Sequence, residues 1–160
     1  MTDNQSKLGA LAETTTVAEI MTKSISTLTP KDSVETALRA MVDEINTLPV
    51  IDNAGRCIGM ISRADLSESF FEEDRELTRM FESAGTGFPL IPTALVDTCS
   101  ERRVNEFMSD DVRVATTATS ITQACNILAS GNFHHLPVVD ESETLVGIVS
   151  MSDIIGWLAQ

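Results

Sequence analysis

Hydrophobic and polar positions in the first half of the chain change period several times between residue 24 and residue 66. Apolar residues alternate with polar ones, then recur at helical spacing, and then form two short runs separated by a turn. The pattern first predicts a strand at 24–29 and a helix from Val34 to Ile45, with Ser33 as its N-cap. It then predicts strands at 48–51 and 57–61 around a hairpin turn at 52–55, and a helix that opens at Ser62–Asp65.

The second half repeats the same succession. It predicts a strand at 112–115, a helix from Ser120 to about Ser130, strands at 136–139 and 145–149, and a helix from Met151. Each half is therefore a β-α-β-β-α unit, and the fold class is α/β of the α+β type.

Three short motifs show that the two halves are copies of one another. Val17-Ala-Glu-Ile-Met21 matches Val104-Asn-Glu-Phe-Met108, Leu48-Pro-Val-Ile-Asp52 matches Leu136-Pro-Val-Val-Asp140, and Gly59-x-x-Ser62-x-x-Asp65 matches Gly147-x-x-Ser150-x-x-Asp153. The offset is 87 residues at the first motif and 88 at the last, which predicts one extra residue in the second copy around Gly131 and Asn132.

Composition and charge narrow the class of protein. A hydrophobic content of 42% is typical of a globular chain, and the net charge of −13 disfavours nucleic acid as a partner. The sequence contains neither a membrane-spanning run nor a signal peptide, so we expect a soluble, cytoplasmic protein without membrane partners. Three cysteines without Cys-x-x-Cys spacing indicate neither a disulfide framework nor a zinc site, and Cys57 and Cys125 are predicted to be small core residues.

The tandem motifs resemble a pair of CBS domains, also called a Bateman module, over residues 16–70 and 103–159. The resemblance implies two β-α-β-β-α repeats packed as one pseudo-twofold module with ligand clefts between them. We expect an N-terminal flexible segment at 1–15, a first CBS domain with an extended acidic helix at 16–82, a connection at 83–103, and a second CBS domain at 104–160.

The Ser-x-x-Asp junction has two interpretations that are compatible with each other. It is a capping-box pattern, in which each side chain satisfies a backbone N–H of the first helical turn. A strand that runs into a helix N-terminus also presents N–H groups to a phosphate, and an aspartate there can accept hydrogen bonds from ribose hydroxyls. The resemblance implies the second use, with the following residues as ligand-binding candidates: Ser62, Arg63, Asp65, Ile25, Thr27 and Thr47 in one site, and Ser150, Asp153, Val112, Val114 and His135 in the other.

The two copies differ directly after the motif serine, where Arg63 in the first copy corresponds to Met151 in the second. Only arginine can form paired hydrogen bonds to a phosphate, so we expect the two sites to bind nucleotide with unequal affinity. Ordinary surface charge is the alternative for Arg63. Other cations that could help hold a polyphosphate are Lys31, Arg56, Arg102, Arg103 and Arg113.

Several other features have simpler interpretations. The apolar spacing within 67–82 predicts an amphipathic helix with an acidic face, and the connection at 83–103 is too apolar for a free linker. Trp157 is predicted to be a core or dimer contact. Adjacent residues of a strand point to opposite faces, so the pair His134-His135 does not indicate a metal site.

The function expected from the resemblance is that of a stand-alone regulatory module. It would bind AMP, ADP or ATP, form a homodimer and signal to a separate, unknown effector protein. The alternatives are a structural or dimerisation module with vestigial clefts, and a binder of another adenosyl ligand such as S-adenosylmethionine. No nucleophile motif or glycine-rich phosphate loop indicates an enzyme, and no cofactor is expected beyond the nucleotide ligand.

Overall fold

The structure is a computed structural model that describes residues 9–41, 45–66, 68, 100–131 and 134–159. In chain order, the elements are helix α1 (Val17–Ile20), helix α2 (Val34–Ala40), strands β1 (Thr47–Ile51) and β2 (Cys57–Ser62), the 3-10 turn η1 (Val104–Glu106), strand β3 (Ala115–Thr116), helix α3 (Ile121–Ser130), strands β4 (His135–Val139) and β5 (Leu145–Ser150), and helix α4 (Met151–Leu158). Residues 9–14 and 63–66 are also helical.

The contacts divide the chain into two compact units. The first unit takes its residues from Met1–Ile25, Asn53–Cys57 and Val112–Gln160, and the second from Ser26–Asp52 and Ile58–Asp111. The segment that leads into each sequence copy therefore packs in the unit that contains most of the other copy. The boundaries of the two sequence repeats remain a prediction. The packing units do not coincide with the repeats, because each unit contains residues from both copies.

Equivalent backbone hydrogen bonds hold the two lead-in segments in place. In the first unit, the N–H of Thr22 donates to the carbonyl of Ile148 at 2.9 Å and the N–H of Ile148 donates back at 3.0 Å. In the second unit, Met60 and Ser109 exchange the equivalent pair of bonds at 2.9 and 2.8 Å. Each lead-in thus adds a short bridge to the strand that precedes the Ser-x-x-Asp junction.

Ser33 caps helix α2, as the sequence predicts, and Ser120, which was expected to be the first residue of helix α3, is its N-cap. The hydroxyl of Ser33 accepts from the N–H of Thr36 at 3.1 Å, and that of Ser120 accepts from the N–H of Gln123 at 3.3 Å. Helix α2 is shorter than predicted, because it ends at Ala40 with Met41 as its C-cap. The prediction that Ile45 lies on the buried face of this helix is wrong, since it follows the helix and is 43% exposed.

The sheets follow the predicted hairpin pattern. Strands β1 and β2 form a two-stranded sheet, and the second sheet has the order β3-β4-β5, with β3 parallel and β5 antiparallel to β4. The two hairpin turns place equivalent residues at positive φ, with Gly55 at 80° and Glu143 at 62°. Glycine adopts this conformation at no steric cost, whereas a glutamate there is strained.

The predicted strand at 24–29 is wrong, apart from one bridge at Leu28. Leu28 donates its N–H to the carbonyl of Pro49 at 3.0 Å and accepts from the N–H of Ile51 at 2.8 Å. The next bond of this parallel ladder needs a donor at position 49, and proline has no N–H. In the second copy Pro137 has the same effect, so β3 begins only at Ala115 and the prediction of a strand from residue 112 is wrong.

Each unit has its own hydrophobic core. The core of the second unit contains Leu28, Val34, Ala37, Leu38, Met41, Leu48, Val50, Ile61, Leu66, Val104 and Phe107. The core of the first unit contains Val17, Ala115, Ile121, Ala124, Leu128, Leu136, Val138, Val149 and Ile154. Cys125 packs against the core of the first unit, and burial raises the pKa of its thiol. Cys57 is half-buried.

Three predictions concern regions that lie wholly or largely outside the described residues: the acidic helix at 67–82, the connection at 83–103, of which only residues 100–103 are described, and the extra residue near Asn132. Within the described ranges, the structure contains no helix that is long and apolar enough to cross a membrane.

Candidate functional site

The Ser62–Asp65 junction lies where strand β2 ends and the helical residues 63–66 begin. One carboxylate oxygen of Asp65, Oδ2, accepts from the backbone N–H and from the hydroxyl of Ser62, both at 2.7 Å. The hydroxyl of Ser62 in turn accepts from the N–H of Asp65 at 3.2 Å. These reciprocal bonds are a capping box, as the sequence predicts.

The Ser150–Asp153 junction repeats this arrangement between strand β5 and helix α4. Oδ2 of Asp153 accepts from the N–H and the hydroxyl of Ser150 at 2.7 Å each, and the N–H of Asp153 donates to the Ser150 hydroxyl at 3.2 Å. The same local sequence therefore gives the same local structure in both units, and the capping interpretation is confirmed for both copies.

These bonds limit what each side chain can offer to a ligand. A serine hydroxyl has one hydrogen, and here the carboxylate already receives it, so neither Ser62 nor Ser150 can donate to a phosphate without releasing its aspartate. Each aspartate uses only Oδ2 for the cap. Within the described part of the chain, no hydrogen bond to Oδ1 of Asp65 or Asp153 is found. Oδ1 of each aspartate is therefore the carboxylate oxygen that the cap leaves available for a further hydrogen bond.

His135 lies beside the second junction, as the resemblance implies. It is directly opposite Ser150 in the antiparallel pairing of β4 and β5, which places both side chains on the same face. Burial lowers the pKa of His135, and the neighbouring His134 lowers it further, whereas the negative charge of Asp153 raises it. The sum favours a neutral imidazole close to the Asp153 carboxylate.

The equivalent position of the first copy is Thr47. There the N–H of Arg63 donates to the carbonyl of Asn46 at 2.9 Å, and the N–H of Met151 makes the equivalent bond to His134 at 3.2 Å. These bonds hold the start of each helix against the residue that precedes Thr47 or His135. Thr47 and His135 therefore each follow a residue whose carbonyl is hydrogen-bonded to the backbone of the junction.

Arg63 has a structural partner that the sequence analysis did not consider. Its guanidinium donates to the carbonyl oxygen of Met41, the residue that ends helix α2. A cation at a helix C-terminus is stabilised by the helix dipole and by the carbonyls that lack intrahelical donors. Arg63 is half-buried, and this bond anchors the end of α2.

The other predicted site residues lie in irregular segments. Thr27 is exposed and belongs to the second unit, together with Thr47 and the Ser62–Asp65 junction, whereas Ile25 is half-buried and belongs to the first unit. Val112 is half-buried and Val114 is 42% exposed, and both are in the first unit with the Ser150–Asp153 junction.

An open groove of about 600 Å³ lies next to Asp153 in the first unit. It is lined by Thr15, Glu19, Ile20, Ser152, Asp153, Gly156 and Trp157. Trp157 also packs against the core of this unit, which agrees with its predicted role as a core contact. Of these lining residues, only Asp153 and Trp157 were singled out from the sequence. Gly156 could have been found as well, because it follows Asp153 at helical spacing.

Metal binding gains no support from the described side chains. In the described ranges, no group of three or more histidine, cysteine, aspartate or glutamate residues is arranged to hold a metal ion.

The comparison with known families matches the two copies separately. The CBS domain matches residues 17–72 and again residues 104–160. The chain belongs to the CBS domain family. The match covers both Ser-x-x-Asp junctions, so the resemblance read from the tandem motifs is confirmed.

Relatives and solved structures agree with this assignment. The uncharacterized protein MJ1426 of Methanocaldococcus jannaschii is 26% identical and covers 93% of this chain and 94% of its own. The chloroplastic CBS domain-containing protein CBSX1 of Arabidopsis thaliana is 30% identical over 88% of this chain, which spans 62% of CBSX1. The crystal structure of CBSX2 in complex with AMP has a TM-score of 0.68 and 26% identity, and covers 91% of this chain and 96% of that one.

Proposed function

We propose that this CBS-pair chain is a regulatory module that binds an adenine nucleotide, AMP, ADP or ATP, and passes its state to a separate effector protein. One observation carries the proposal: CBSX2, which is similar to this chain over nearly its whole length, was crystallised in complex with AMP. The two Ser-x-x-Asp junctions are the parts of this chain whose chemistry suits such a ligand.

The ribose is the part of the ligand that we assign to the aspartates. Oδ1 of Asp65 or Asp153 would accept hydrogen bonds from the two adjacent hydroxyls, while Oδ2 keeps the helix capped. Because the capping box already orders each carboxylate, binding would not have to immobilise it, which lowers the entropic cost of association.

The phosphate is the part that we assign to Arg63 and to the helix start after Ser62. The guanidinium of Arg63 has N–H donors besides the one that binds the carbonyl of Met41, so a phosphate contact and the anchoring of helix α2 are chemically compatible. Met151 occupies the equivalent position in the first unit and cannot replace the guanidinium. Nucleotides with more phosphate should therefore favour the junction that contains Arg63.

The base is the part that we assign to the residues beside each junction. Thr47 and the irregular segment that contains Thr27 are the candidates for the second unit, and Ile25 stays a candidate although it belongs to the first unit. His135, Val112 and Val114 are the candidates for the first unit. A neutral imidazole at position 135 suits this role, because stacking on adenine does not require a charge.

We further propose that the protein is non-catalytic and acts as a homodimer. Helix α4 carries exposed apolar side chains at Met151, Ile155 and Leu158, at the spacing of one helical face. Phe70, Phe71 and Phe81, three apolar residues of the amphipathic helix predicted at 67–82, are outside the described residues. Light scattering should give a mass of about twice 17.3 kDa at micromolar concentration, and a mass of 17.3 kDa would contradict the dimer.

A thermal-shift panel tests the ligand class. AMP, ADP, ATP, S-adenosylmethionine and NAD are each added to the protein, with guanosine monophosphate as the control for the base. A ligand at a hundred times its dissociation constant adds about 2.7 kcal/mol of stability, which is a readily measured shift. We expect the adenine nucleotides to stabilise the protein. A shift with S-adenosylmethionine alone would favour the other adenosyl ligand, and no shift with any compound would favour a structural module with vestigial clefts.

A further inference from the structure

The two copies differ in their ability to bind a proton directly before the Leu-Pro-Val strand motif. The second copy has His134 and His135 where the first copy has Asn46 and Thr47, at the offset of 88 residues that the end of the repeat shows. Histidine changes its charge between about pH 5 and pH 8, whereas asparagine and threonine stay neutral. A change of pH can therefore act on one copy and leave the other unaffected.

The sheet holds His135 beside the Ser150–Asp153 junction. His135 lies directly opposite Ser150 in the pairing of strands β4 and β5, and the hydroxyl of Ser150 donates to Oδ2 of Asp153 at 2.7 Å. Side chains in directly opposite positions have Cβ atoms about 4.5–5.5 Å apart. The imidazole is half-buried, and no residue that the structure describes is hydrogen-bonded to it. Its ring nitrogens therefore keep their capacity to bind a proton or a carboxylate.

Few charged groups surround His135. Strands β3 and β5 flank β4, helix α3 packs against it, and Cys125 supplies the one ionisable side chain within these three elements. Burial raises the pKa of this thiol, so it stays neutral in the acid range. Helix α4, which packs against β5, contributes Asp153, and helix α1 contributes Glu19 to the groove beside it. The charges that shift the pKa of the imidazole are those of the neighbouring His134 and of Asp153.

A proton on His135 changes what the imidazole offers to Asp153. The protonated ring carries two N–H donors and a positive charge, for which a nearby carboxylate is a strong partner. The cap leaves Oδ1 of Asp153 available, and this is the atom that we assign to the ribose. A base that covers the imidazole also removes water from it, which disfavours the charged form. Both effects make the proton and the ligand compete.

We propose that a proton on His135 competes with the adenine nucleotide for the Ser150–Asp153 junction, so that acidification weakens binding at this junction and not at the Ser62–Asp65 junction. The inference rests on the proposed function, because it concerns the regulation of a site that is assigned there. Thr47 occupies the position of His135 in the first copy, so the chain contains its own control.

The test uses adenosine as the main ligand, because it has no phosphate that titrates near neutral pH. Asp65→Asn weakens one junction and Asp153→Asn the other, so each protein reports mainly on the junction that it retains. Titration calorimetry is carried out at about pH 7.5 and about pH 5.5. We expect Asp65→Asn to bind adenosine about threefold to tenfold more weakly at the lower pH. Asp153→Asn should bind adenosine with the same affinity at both.

Three histidine substitutions locate the effect. His135→Gln, added to Asp65→Asn, should make the affinity independent of pH, and His134→Gln should reduce the pH dependence only in part. Thr47→His, added to Asp153→Asn, should introduce a pH dependence at the Ser62–Asp65 junction. The same pH dependence with and without His135→Gln would overturn the proposal, even if Thr47→His fails to fold. AMP is titrated in parallel, and His135→Gln is then the reference for protonation of its phosphate.

NMR provides the reciprocal measurement, because the chain contains two histidines and His134→Gln identifies their resonances. If the proton weakens binding of the ligand, the ligand must equally weaken binding of the proton. Saturating adenosine should therefore lower the pKa of His135 further. A pKa that stays unchanged or rises would overturn the proposal.

The outcomes separate this inference from the proposed function. Adenosine or AMP binding to Asp65→Asn that is independent of His135 and of pH would overturn the inference and leave the proposed function intact. Stronger adenosine binding at about pH 5.5 would also overturn the inference alone, because the imidazolium would then contact the ligand and not Asp153. Failure of the wild-type protein to bind adenosine or AMP at either pH would overturn the proposed function, and the inference with it.

Discussion

Met21 lies so close to Gly147 that a single added carbon does not fit between them. A Cβ on Gly147 would be 2.5 Å from the Sδ of Met21 and 3.1 Å from the carbonyl oxygen of Thr22. Gly59 has the equivalent relationship with Met108, whose Sδ would be 2.7 Å away. The glycine of each Gly-x-x-Ser-x-x-Asp motif therefore leaves room for a lead-in methionine, and a larger residue would have to displace that side chain.

Gly147→Ala should lower the free energy of unfolding by about 1–3 kcal/mol, the usual range for overpacking a well-filled site. Urea denaturation monitored by circular dichroism measures this change. The partner variant Met21→Ala should recover part of the loss in the double mutant, because it removes the side chain that the new methyl group meets.

Gly156→Ala is the matched control for this experiment. Apart from its chain neighbours and the backbone of helix α4, no atom of the described residues lies within 4 Å of the position of its Cβ. Gly156 is also exposed in helix α4, so alanine should raise stability by about 0.5–1 kcal/mol. A Gly147→Ala protein as stable as wild type would show that the contact with Met21 does not constrain this position.

Arg63→Met should have two separable effects. The carbonyl of buried Met41 loses a donor, so the free energy of unfolding should fall by about 1–2 kcal/mol. If the guanidinium also binds phosphate, the affinity for ATP should fall by about tenfold to a hundredfold, while adenosine, which has no phosphate, should bind as before. Urea denaturation and titration calorimetry measure the two effects.

Arg39→Met is the control for the stability effect. Its pair with Glu35 is on the surface of helix α2, with the arginine side chain 67% exposed, and should contribute only about 0.3–0.5 kcal/mol. Equal losses of ATP and adenosine affinity in Arg63→Met would mean that Arg63 acts through helix α2 alone.

His135 should make the stability of the protein depend on pH. Its pKa in the folded state is lowered, so the unfolded chain binds the proton more readily as the pH falls through about 6.5. The free energy of unfolding should therefore decrease from pH 7.5 to pH 5.5 more steeply in wild type than in His135→Gln. Thermal unfolding at several pH values tests this. His134→Gln removes the neighbouring charge, so it should reduce the pH dependence only in part. The same pH dependence in wild type and His135→Gln would contradict it.

Glu143→Gly should stabilise the hairpin turn between β4 and β5. Glutamate at φ 62° carries a steric cost of about 1–2 kcal/mol, which glycine removes. Part of this gain is cancelled, because glycine has greater conformational freedom in the unfolded chain. We expect a net gain of roughly 0.5–1 kcal/mol in urea denaturation. Gly55→Ala is the mirror experiment at the equivalent position and should be destabilising. A loss of stability in Glu143→Gly would contradict the strain argument.

Local sequence was sufficient for the elements whose determinants are close together in the chain. The caps at Ser33, Ser120 and Ser150 depend on residues three positions apart, and the hairpins depend on their turns, so all of these were predictable. The strand predicted at 24–29 was wrong for a non-local reason. Its pairing is interrupted by Pro49, which is far away in sequence and lacks an N–H.

Only part of the candidate site could be predicted from local sequence. The reciprocal bonds of the Ser-x-x-Asp junctions follow from local spacing. The roles of Gly147 and Arg63 depend on packing against Met21 and on the end of helix α2, and nothing in the local pattern indicates those neighbours.

The most direct test of the account is titration calorimetry of AMP with wild type, Asp65→Asn, Asp153→Asn and the double mutant. Asparagine keeps an acceptor for the capping bonds, so each variant should lose no more than about 1 kcal/mol of stability. It lacks the charged oxygen for the ribose, so each substitution should weaken AMP binding at its own junction by about tenfold to a hundredfold. The double mutant should bind AMP about tenfold to a hundredfold more weakly at both junctions. A double mutant that folds and binds AMP with wild-type affinity would contradict the account.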